Sequence, residues 1–115
     1  MKILVERKKK IASDWFELLQ SEIVNQFQLL EDEISKRNTK KTKIFIKREW
    51  KKNNKKEGGG TSYLLNDGEL FDKVGVNQST VSGQFEKTYR SKILGAEKNG
   101  KYWASGISVV AHMKN

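Results

Sequence analysis

The residues best suited to bind a ligand or take part in a reaction lie in the run from Tyr102 to His112, near the end of the chain. If this run is a strand, its side chains alternate between two faces. One face then carries Trp103, Ser105, Ile107, Val109 and Ala111, and the other carries Tyr102, Ala104, Gly106, Ser108, Val110 and His112. Ser108 and His112 would lie roughly 13 Å apart on the second face. A flat, wide ligand could reach both groups, whereas a small substrate could not.

Residue types alone leave the role of Ser108 and His112 open. A single histidine near a chain end is commonly a surface or core residue, and a single serine in a strand carries no specific signal. The chain has one histidine and no cysteine, so a zinc-type site with three or more protein ligands lacks partners. No Ser-His-acid set or HExxH motif occurs, and Gly58-Gly59-Gly60 lacks the Gly-Lys-Ser/Thr of a phosphate loop.

The net charge of +9 raises the question of a nucleic-acid partner. Arginine, which can pair with two phosphate oxygens at once, occurs only at positions 7, 37, 48 and 90, and most of the excess charge is lysine. A basic surface also attracts small polyanions such as a tetracarboxylate. The aromatic residues Trp15, Phe16 and Phe27 fall mainly on a helix stripe, where they indicate a core instead of a base-stacking surface. Nucleic acid is therefore not the expected partner.

One amphipathic helix is predicted in the first third of the chain. Its apolar residues recur at steps of three and four, at Trp15, Leu19, Ile23, Phe27, Leu30 and Ile34. Ser13 or Asp14 is expected to cap the start of the helix, which leaves residues 1–12 as a flexible basic tail. The apolar stripe has to pack on another element.

Strand signals follow the helix and predict an α+β fold, with the N-terminal amphipathic helix followed by a mainly antiparallel sheet. The turn Asn66-Asp67-Gly68 predicts a hairpin between two short runs, 61–65 and 69–74. The other expected elements are a strand over 44–50, a charged loop over 51–57, a loop or irregular strand over 75–83, a strand over 84–90, a turn over 95–101 and a final strand over 102–112. Because nothing follows to cover that apolar final strand, the sequence is expected to be truncated.

No apolar run approaches the roughly 18 residues that cross a bilayer. The basic N-terminus lacks the apolar stretch of a signal peptide. No membrane span and a cytoplasmic location are therefore expected.

Several segments together resemble the oxygen-dependent coproporphyrinogen III oxidase family. The resemblance rests on Arg48-Glu49-Trp50, on the run 57–62, on the most specific stretch, 65–77, and on the run 104–112. The order and spacing of these blocks agree with the family. The match covers most of the chain from about Trp15 onward, and only the N-terminal third or so of the family's length. Residues 1–115 are thus expected to be the N-terminal part of a single domain.

The resemblance implies an enzyme of haem biosynthesis that uses O2 as co-substrate. It converts two propionates of coproporphyrinogen III into vinyl groups, giving protoporphyrinogen IX. The family is a homodimer built on a large, helix-flanked sheet, and no organic cofactor is implied. By position, Ser108 resembles the family's substrate-contacting serine and His112 resembles a ligand of a divalent metal cation. Asn77 and Ser79 are further candidates for substrate contact, and Arg48 or Arg90 could supply charge for the carboxylates.

The sequence departs from the family at several positions. Met113 replaces a usual proline, Gln78 an aromatic residue, and Thr80 and Ser82 occupy positions that are often histidine. The family's proton-donor histidine, its later arginine and aspartate residues and its dimerisation segment are expected beyond Asn115. No catalytic residue is therefore assigned in this chain, and the fragment itself is expected to be inactive.

Two alternatives remain from the sequence. One is a non-catalytic remnant that binds porphyrin, and the other is a small basic nucleic-acid-binding module.

Overall fold

The structure, a computed structural model, describes residues 2–52, 57–86, 92 and 100–115. Its elements are α1 (Lys2–Arg37), β1 (Ile46–Lys51), β2 (Gly58–Asn66), β3 (Phe71–Gln84) and β4 (Lys101–Met113). The strands form one antiparallel sheet in the order β1-β2-β3-β4. Helix α1 packs on one side of this sheet, which we call the inner face, and the opposite side is the outer face. The predicted α+β class is confirmed.

Helix α1 begins earlier than the sequence predicted. It starts at Lys2, so the predicted start at Ser13 or Asp14 is wrong, and residues 2–12 are helix instead of the expected tail. This segment contains neither glycine nor proline. An ion pair one helical turn apart, Lys10 to Asp14 at 3.0 Å, adds a small stabilisation. The basic residues that suggested a tail are good helix formers when acidic partners lie on the same face.

The helix face that meets the sheet also differs from the predicted apolar stripe. Trp15 and Leu30 of that stripe are 55% and 48% exposed, although Ile23 and Phe27 do pack against the core. The buried helix residues are Gln20, Val24, Glu31 and Ser35. Periodicity of apolar residues could not reveal this face, because its buried side chains are mostly polar.

The apolar core lies between α1 and the inner face of β2 and β3. Its buried residues are Val24, Leu65, Phe71, Val74 and Val76. The rings of Phe27 and Phe71 meet edge to face, with centroids 5.1 Å apart, a favoured aromatic geometry. Val74 and Val76 alternate with outward-facing residues, so β3 contributes to the core with every second side chain.

Two glutamines connect the helix to neighbouring backbone. The side-chain amide of Gln20 donates to the carbonyl oxygens of Thr61 (2.8 Å) and Val76 (3.1 Å). Gln28 donates to the carbonyl of Lys43 (2.9 Å) and accepts from the backbone N–H of Phe45 (3.1 Å). Since a buried amide without partners is costly, the bonds of the buried Gln20 favour the helix face that lies against the sheet, whereas those of Gln28 connect the helix to the segment before β1.

The strongest connection between helix and sheet is the carboxylate of Glu31, whose side chain is fully buried. It accepts backbone N–H bonds from Glu69 (2.7 Å), Leu70 (3.1 Å) and Phe71 (3.1 Å), and the hydroxyl of Ser35 donates to it at 3.2 Å. The backbone donors Glu69 and Leu70 lie in the turn between β2 and β3, and Phe71 is the first residue of β3. A buried carboxylate with several such donors is stabilised where an unpaired one would not be.

Gly68 makes room for this carboxylate. A Cβ atom at position 68 would lie 2.2 Å from Oε1 of Glu31. The turn is closed by backbone hydrogen bonds from Asp67 N–H to the Asp72 carbonyl and from Gly68 N–H to the Phe71 carbonyl, both 2.8 Å. The Asn66-Asp67-Gly68 signal therefore predicted the hairpin correctly. The structure adds that the residues after this turn donate to the Glu31 carboxylate.

Residues 75–83, predicted as a loop or irregular strand, are strand: they form part of the continuous β3. The small polar residues there are accommodated because β2 and β4 both pair with them. The final strand over 102–112 is confirmed within β4. Parts of the predicted 51–57 loop, 84–90 strand and 95–101 turn, including Arg90, lie outside the described residues.

Within the described ranges, no helix is both long and apolar enough to cross a membrane.

We expect Glu31→Gln to lower the free energy of unfolding by roughly 2–4 kcal/mol, because an amide nitrogen would replace one oxygen facing the turn's N–H donors. Urea denaturation would measure the change. The matched control is Glu33→Gln, which removes an exposed ion pair with Arg37 and should cost less than about 1 kcal/mol. Equal effects of the two substitutions would contradict the role of Glu31.

A second prediction concerns the pair of Asp67 and Lys114. The hydrogen bond from Lys114 lowers the pKa of the Asp67 carboxyl below its ordinary value and raises the pKa of Lys114. Because the folded-state pKa of Asp67 is the lower one, its stabilising contribution is present above the unfolded-state pKa and is lost as the pH falls through the folded-state pKa. Lys114→Met should move the Asp67 pKa upward in a carboxyl 13C NMR titration. An unchanged pKa would show that Lys114 is not the cause, and Lys36→Met is the control.

Candidate functional site

A row of polar side chains crosses the outer face of the sheet. Cross-strand pairing places Arg48 opposite Ser62, Ser62 opposite Asn77, and Asn77 opposite Ser108. One residue comes from each strand, and we call this set the polar row. At the usual strand spacing the row is roughly 14 Å long. Its length suits a flat ligand better than a small one.

The predicted substrate residues lie close together on this face. The side-chain amide of Asn77 lies 3.5 Å from the hydroxyl of Ser108, and both residues are exposed. Ser79 faces the same way as Asn77, one row along the strand, between Gly60 and Gly106. The structure thus brings all three candidates onto one surface.

One side of the polar row is bordered by a tryptophan ring and two glycines. Trp50 lies over Gly60, since a Cβ atom at position 60 would be 2.8 Å from ring atoms Cε2 and Cζ2 and 2.4 Å from the Gln78 carbonyl oxygen. At Gly106 a Cβ atom would meet nothing within 4 Å. Only glycine fits beneath the tryptophan, and the space above Gly106 is open. An aromatic edge and small residues therefore flank the row.

On the other side of the polar row lies a depression of about 400 Å³, which we call the outer depression. Its floor is apolar, with Leu64, Gly75 and Val110 on adjacent strands. Beyond this floor Lys73 lies opposite His112. The complete lining is Arg48, Ser62, Tyr63, Leu64, Lys73, Gly75, Asn77, Val110 and His112.

The outer depression has basic side chains and no acidic ones. Arg48, Lys73 and His112 line it, and all three are exposed. Among the described residues, none of the three makes a side-chain hydrogen bond or ion pair. On the opposite face of β1, by contrast, Lys47 pairs with Glu49 at 3.5 Å. Unpaired basic groups on a concave surface attract anions.

The residues around His112 do not fit the metal site that the family resemblance implies. Lys73 is its cross-strand neighbour, and Arg48 lines the same depression. Over the part of the chain that the structure describes, no group of three or more His, Cys, Asp or Glu residues could hold a metal ion. Divalent cations bind carboxylates, thiolates or neutral donors, and two nearby positive side chains oppose them. This chain's own residues favour an anion here.

Lys52 forms a separate polar contact at the far end of the sheet. Its ammonium donates to the hydroxyl of Tyr102 (2.8 Å) and to the carbonyl of Ser82 (3.4 Å). The hydrogen bond to Tyr102 raises the pKa of Lys52. Because these groups already engage the ammonium, we interpret Lys52 as connecting the end of β1 to β4 and not as part of the outer depression.

Lys73 is a site residue that the sequence analysis did not single out, although it lies in the predicted strand run 69–74. Its place on the outer face depends on its pairing with His112 and on the register shift after Phe71, and neither has a local sequence signal. In the continuous strand Lys73, Gly75, Asn77 and Ser79 share one face, since side chains two apart point the same way. Of the two arginines proposed to supply charge, Arg48 lines the outer depression, and Arg90 lies outside the described residues.

Known proteins with similar sequences identify the family of this chain. The sequence model of the family described as coproporphyrinogen III oxidase matches residues 11–115. A protein of Rickettsia typhi named oxygen-dependent coproporphyrinogen-III oxidase is 44% identical over 108 residues, covering 93% of this chain and 37% of that protein. A protein of the same name from Rickettsia felis is 44% identical over 107 residues. One from Rickettsia bellii is 39% identical over 110 residues, covering 96% of this chain and 38% of that protein.

The chain therefore spans little more than a third of the length of these relatives, within their N-terminal part. The match nevertheless includes α1 from residue 11 and the whole described sheet. The chain belongs to the coproporphyrinogen III oxidase family.

Proposed function

We propose that this chain supplies part of the substrate-binding surface of an oxygen-dependent coproporphyrinogen III oxidase. The reaction would convert coproporphyrinogen III to protoporphyrinogen IX. The observation that carries the proposal is the outer depression, where unpaired basic side chains surround an apolar floor beside Ser108. The names of the relatives support the same substrate.

The substrate has two properties that this face matches. Its macrocycle is broad and apolar, and its rim carries carboxylates. The floor formed by Leu64, Gly75 and Val110 offers apolar contact to the ring. The basic groups at the margins would bind the carboxylates, which otherwise lose hydration without compensation.

Arg48 is the residue best suited to bind a carboxylate at the β1 end of the polar row. A guanidinium can make two parallel hydrogen bonds to one carboxylate. Ser62 and Asn77 lie next along the row, and the hydroxyl of Ser108 follows. These neutral groups would orient the substrate without adding charge.

The reaction itself defines what this surface has to do. Each propionate loses CO2 together with two electrons and one proton as it becomes a vinyl group. Dioxygen is the oxidant: it accepts the electrons and is reduced with uptake of protons. We assign no catalytic residue among those described, and none of the steps is routed through a metal. The proposed role of this chain is to bind and orient the macrocycle.

The homodimer that the family resemblance implies and the cytoplasmic location expected from the sequence belong to the same proposal. A porphyrin-binding protein without turnover would use the same outer face. Porphyrin binding therefore tests the surface under either proposal, whereas protoporphyrinogen formation tests turnover, which is not expected of this fragment by itself.

We expect Arg48→Met to weaken binding of coproporphyrin III, the fluorescent oxidised form of the substrate. The loss of one exposed charge-assisted contact predicts roughly fivefold to tenfold weaker affinity, about 1–1.4 kcal/mol. Fluorescence titration of the full chain at fixed ionic strength would measure it.

The matched control is Lys47→Met, which removes the same charge from the same strand on the inner face. Its affinity should stay within about twofold of the wild type, because charge at that distance is largely screened. The tetramethyl ester of coproporphyrin III is the ligand control and should bind more weakly. Equal weakening by both substitutions, or equal binding of acid and ester, would contradict carboxylate recognition at Arg48.

A further inference from the structure

We propose that Lys73 and His112 together bind one carboxylate of the substrate, which makes Lys73 a specificity-determining residue. This inference rests on the proposed function and assigns a second carboxylate subsite within the same face. Neither Lys73 nor such a subsite follows from the sequence pattern alone.

The register of β3 and β4 brings Lys73 and His112 together. Lys73 lies directly opposite His112, and cross-strand neighbours of this kind have Cβ atoms roughly 5 Å apart. A carboxylate is small enough to accept hydrogen bonds from both side chains at that separation. Both residues are exposed and line the outer depression, so a ligand can reach them.

A break in strand alternation near the start of β3 brings Lys73 to the outer face. Phe71, Val74 and Val76 are all buried in the core. Strict alternation would put Phe71 on the face of Lys73, but the pairing shifts between these two residues. The extra residue, Asp72, is a bulge that lets Phe71 enter the core while Lys73 faces outward. Bulges of this kind redirect single side chains and are over-represented beside functional sites.

The Lys73–His112 pair lies some distance along the strands from the polar row. Lys73 and Asn77 are four residues apart on β3, which is roughly 13 Å along the strand. The apolar floor of the outer depression lies between them. One propionate cannot span that distance. The Lys73–His112 pair and Arg48, at the end of the polar row, therefore suit different carboxylates on the rim of one wide ligand.

The charges decide which ligand the pair prefers. Lys73 offers a flexible ammonium, and the imidazole of His112 offers a directional N–H donor. Neither has a partner within the described ranges. A carboxylate would satisfy both donors through charge-assisted hydrogen bonds. A divalent cation at His112 would instead be repelled by the neighbouring ammonium.

The test is a double-substitution cycle on the full chain, with coproporphyrin III as the probe. Lys73→Met and His112→Ala should each weaken binding about tenfold, and the double substitution should weaken it clearly less than the product of the two, because both side chains contact one carboxylate. Lys73→Arg, which keeps the charge, should retain affinity within about threefold. Lys36→Met removes an exposed lysine from the end of α1 and is the matched control.

A second arm tests the metal alternative without porphyrin. Zn2+ or Mn2+ is added to the chain while the His112 imidazole is followed by NMR. We expect no saturable binding at micromolar metal. Saturation of His112 at such concentrations that is lost in His112→Ala would overturn the inference, whatever the porphyrin result.

The outcomes also separate this inference from the proposed function. If Arg48→Met weakens binding but Lys73→Met leaves it within twofold of the wild type, only the Lys73–His112 subsite is overturned. If the wild-type chain binds coproporphyrin III no better than its tetramethyl ester, the proposed function fails and the inference fails with it.

Discussion

The buried carboxylate of Glu31 is the interaction on which the rest of the structure depends. It joins the helix to the turn between β2 and β3 through three consecutive backbone N–H groups. Leaving such a charge buried without partners would cost several kcal/mol, so the turn and helix must stay together. This contact fixes where β3 begins, and the start of β3 determines which of its residues face outward.

The same strands serve two purposes because their side chains alternate. Val74 and Val76 of β3 lie in the core, whereas Gly75 and Asn77, which alternate with them, lie on the outer surface. A slip of one residue would exchange the two sets. The bulge at Asp72 adjusts this alternation at one end, so that an aromatic residue enters the core and a lysine enters the site. The core and the site are therefore set by a single register.

Some of this architecture could be predicted from the sequence. The helix, the hairpin at Asn66-Asp67-Gly68 and the final strand have strong local signals, and the resemblance to the family rests on ordered blocks. The buried helix face was predicted wrongly because Gln20 and Glu31 are polar, and their burial depends on distant backbone groups. The full extent of β3 stayed open between a loop and an irregular strand, since its small polar residues become a regular strand only through pairing on both sides. Lys73 lies in a predicted strand, but its place beside His112 depends on cross-strand register and on the bulge at Asp72, which have no local sequence signal.

The most direct test of a ligand-binding outer face is to map the contact itself. Coproporphyrin III would be titrated into 15N-labelled chain. The side-chain amide signals of Asn77, on the outer face, would be compared with those of Gln20, buried between α1 and the sheet. A ring bound in the outer depression should shift the Asn77 signals strongly by its ring current and leave Gln20 nearly unchanged. Shifts confined to the exposed helix residues around Ile11, Trp15 and Leu18, with Asn77 unaffected, would contradict the proposed site.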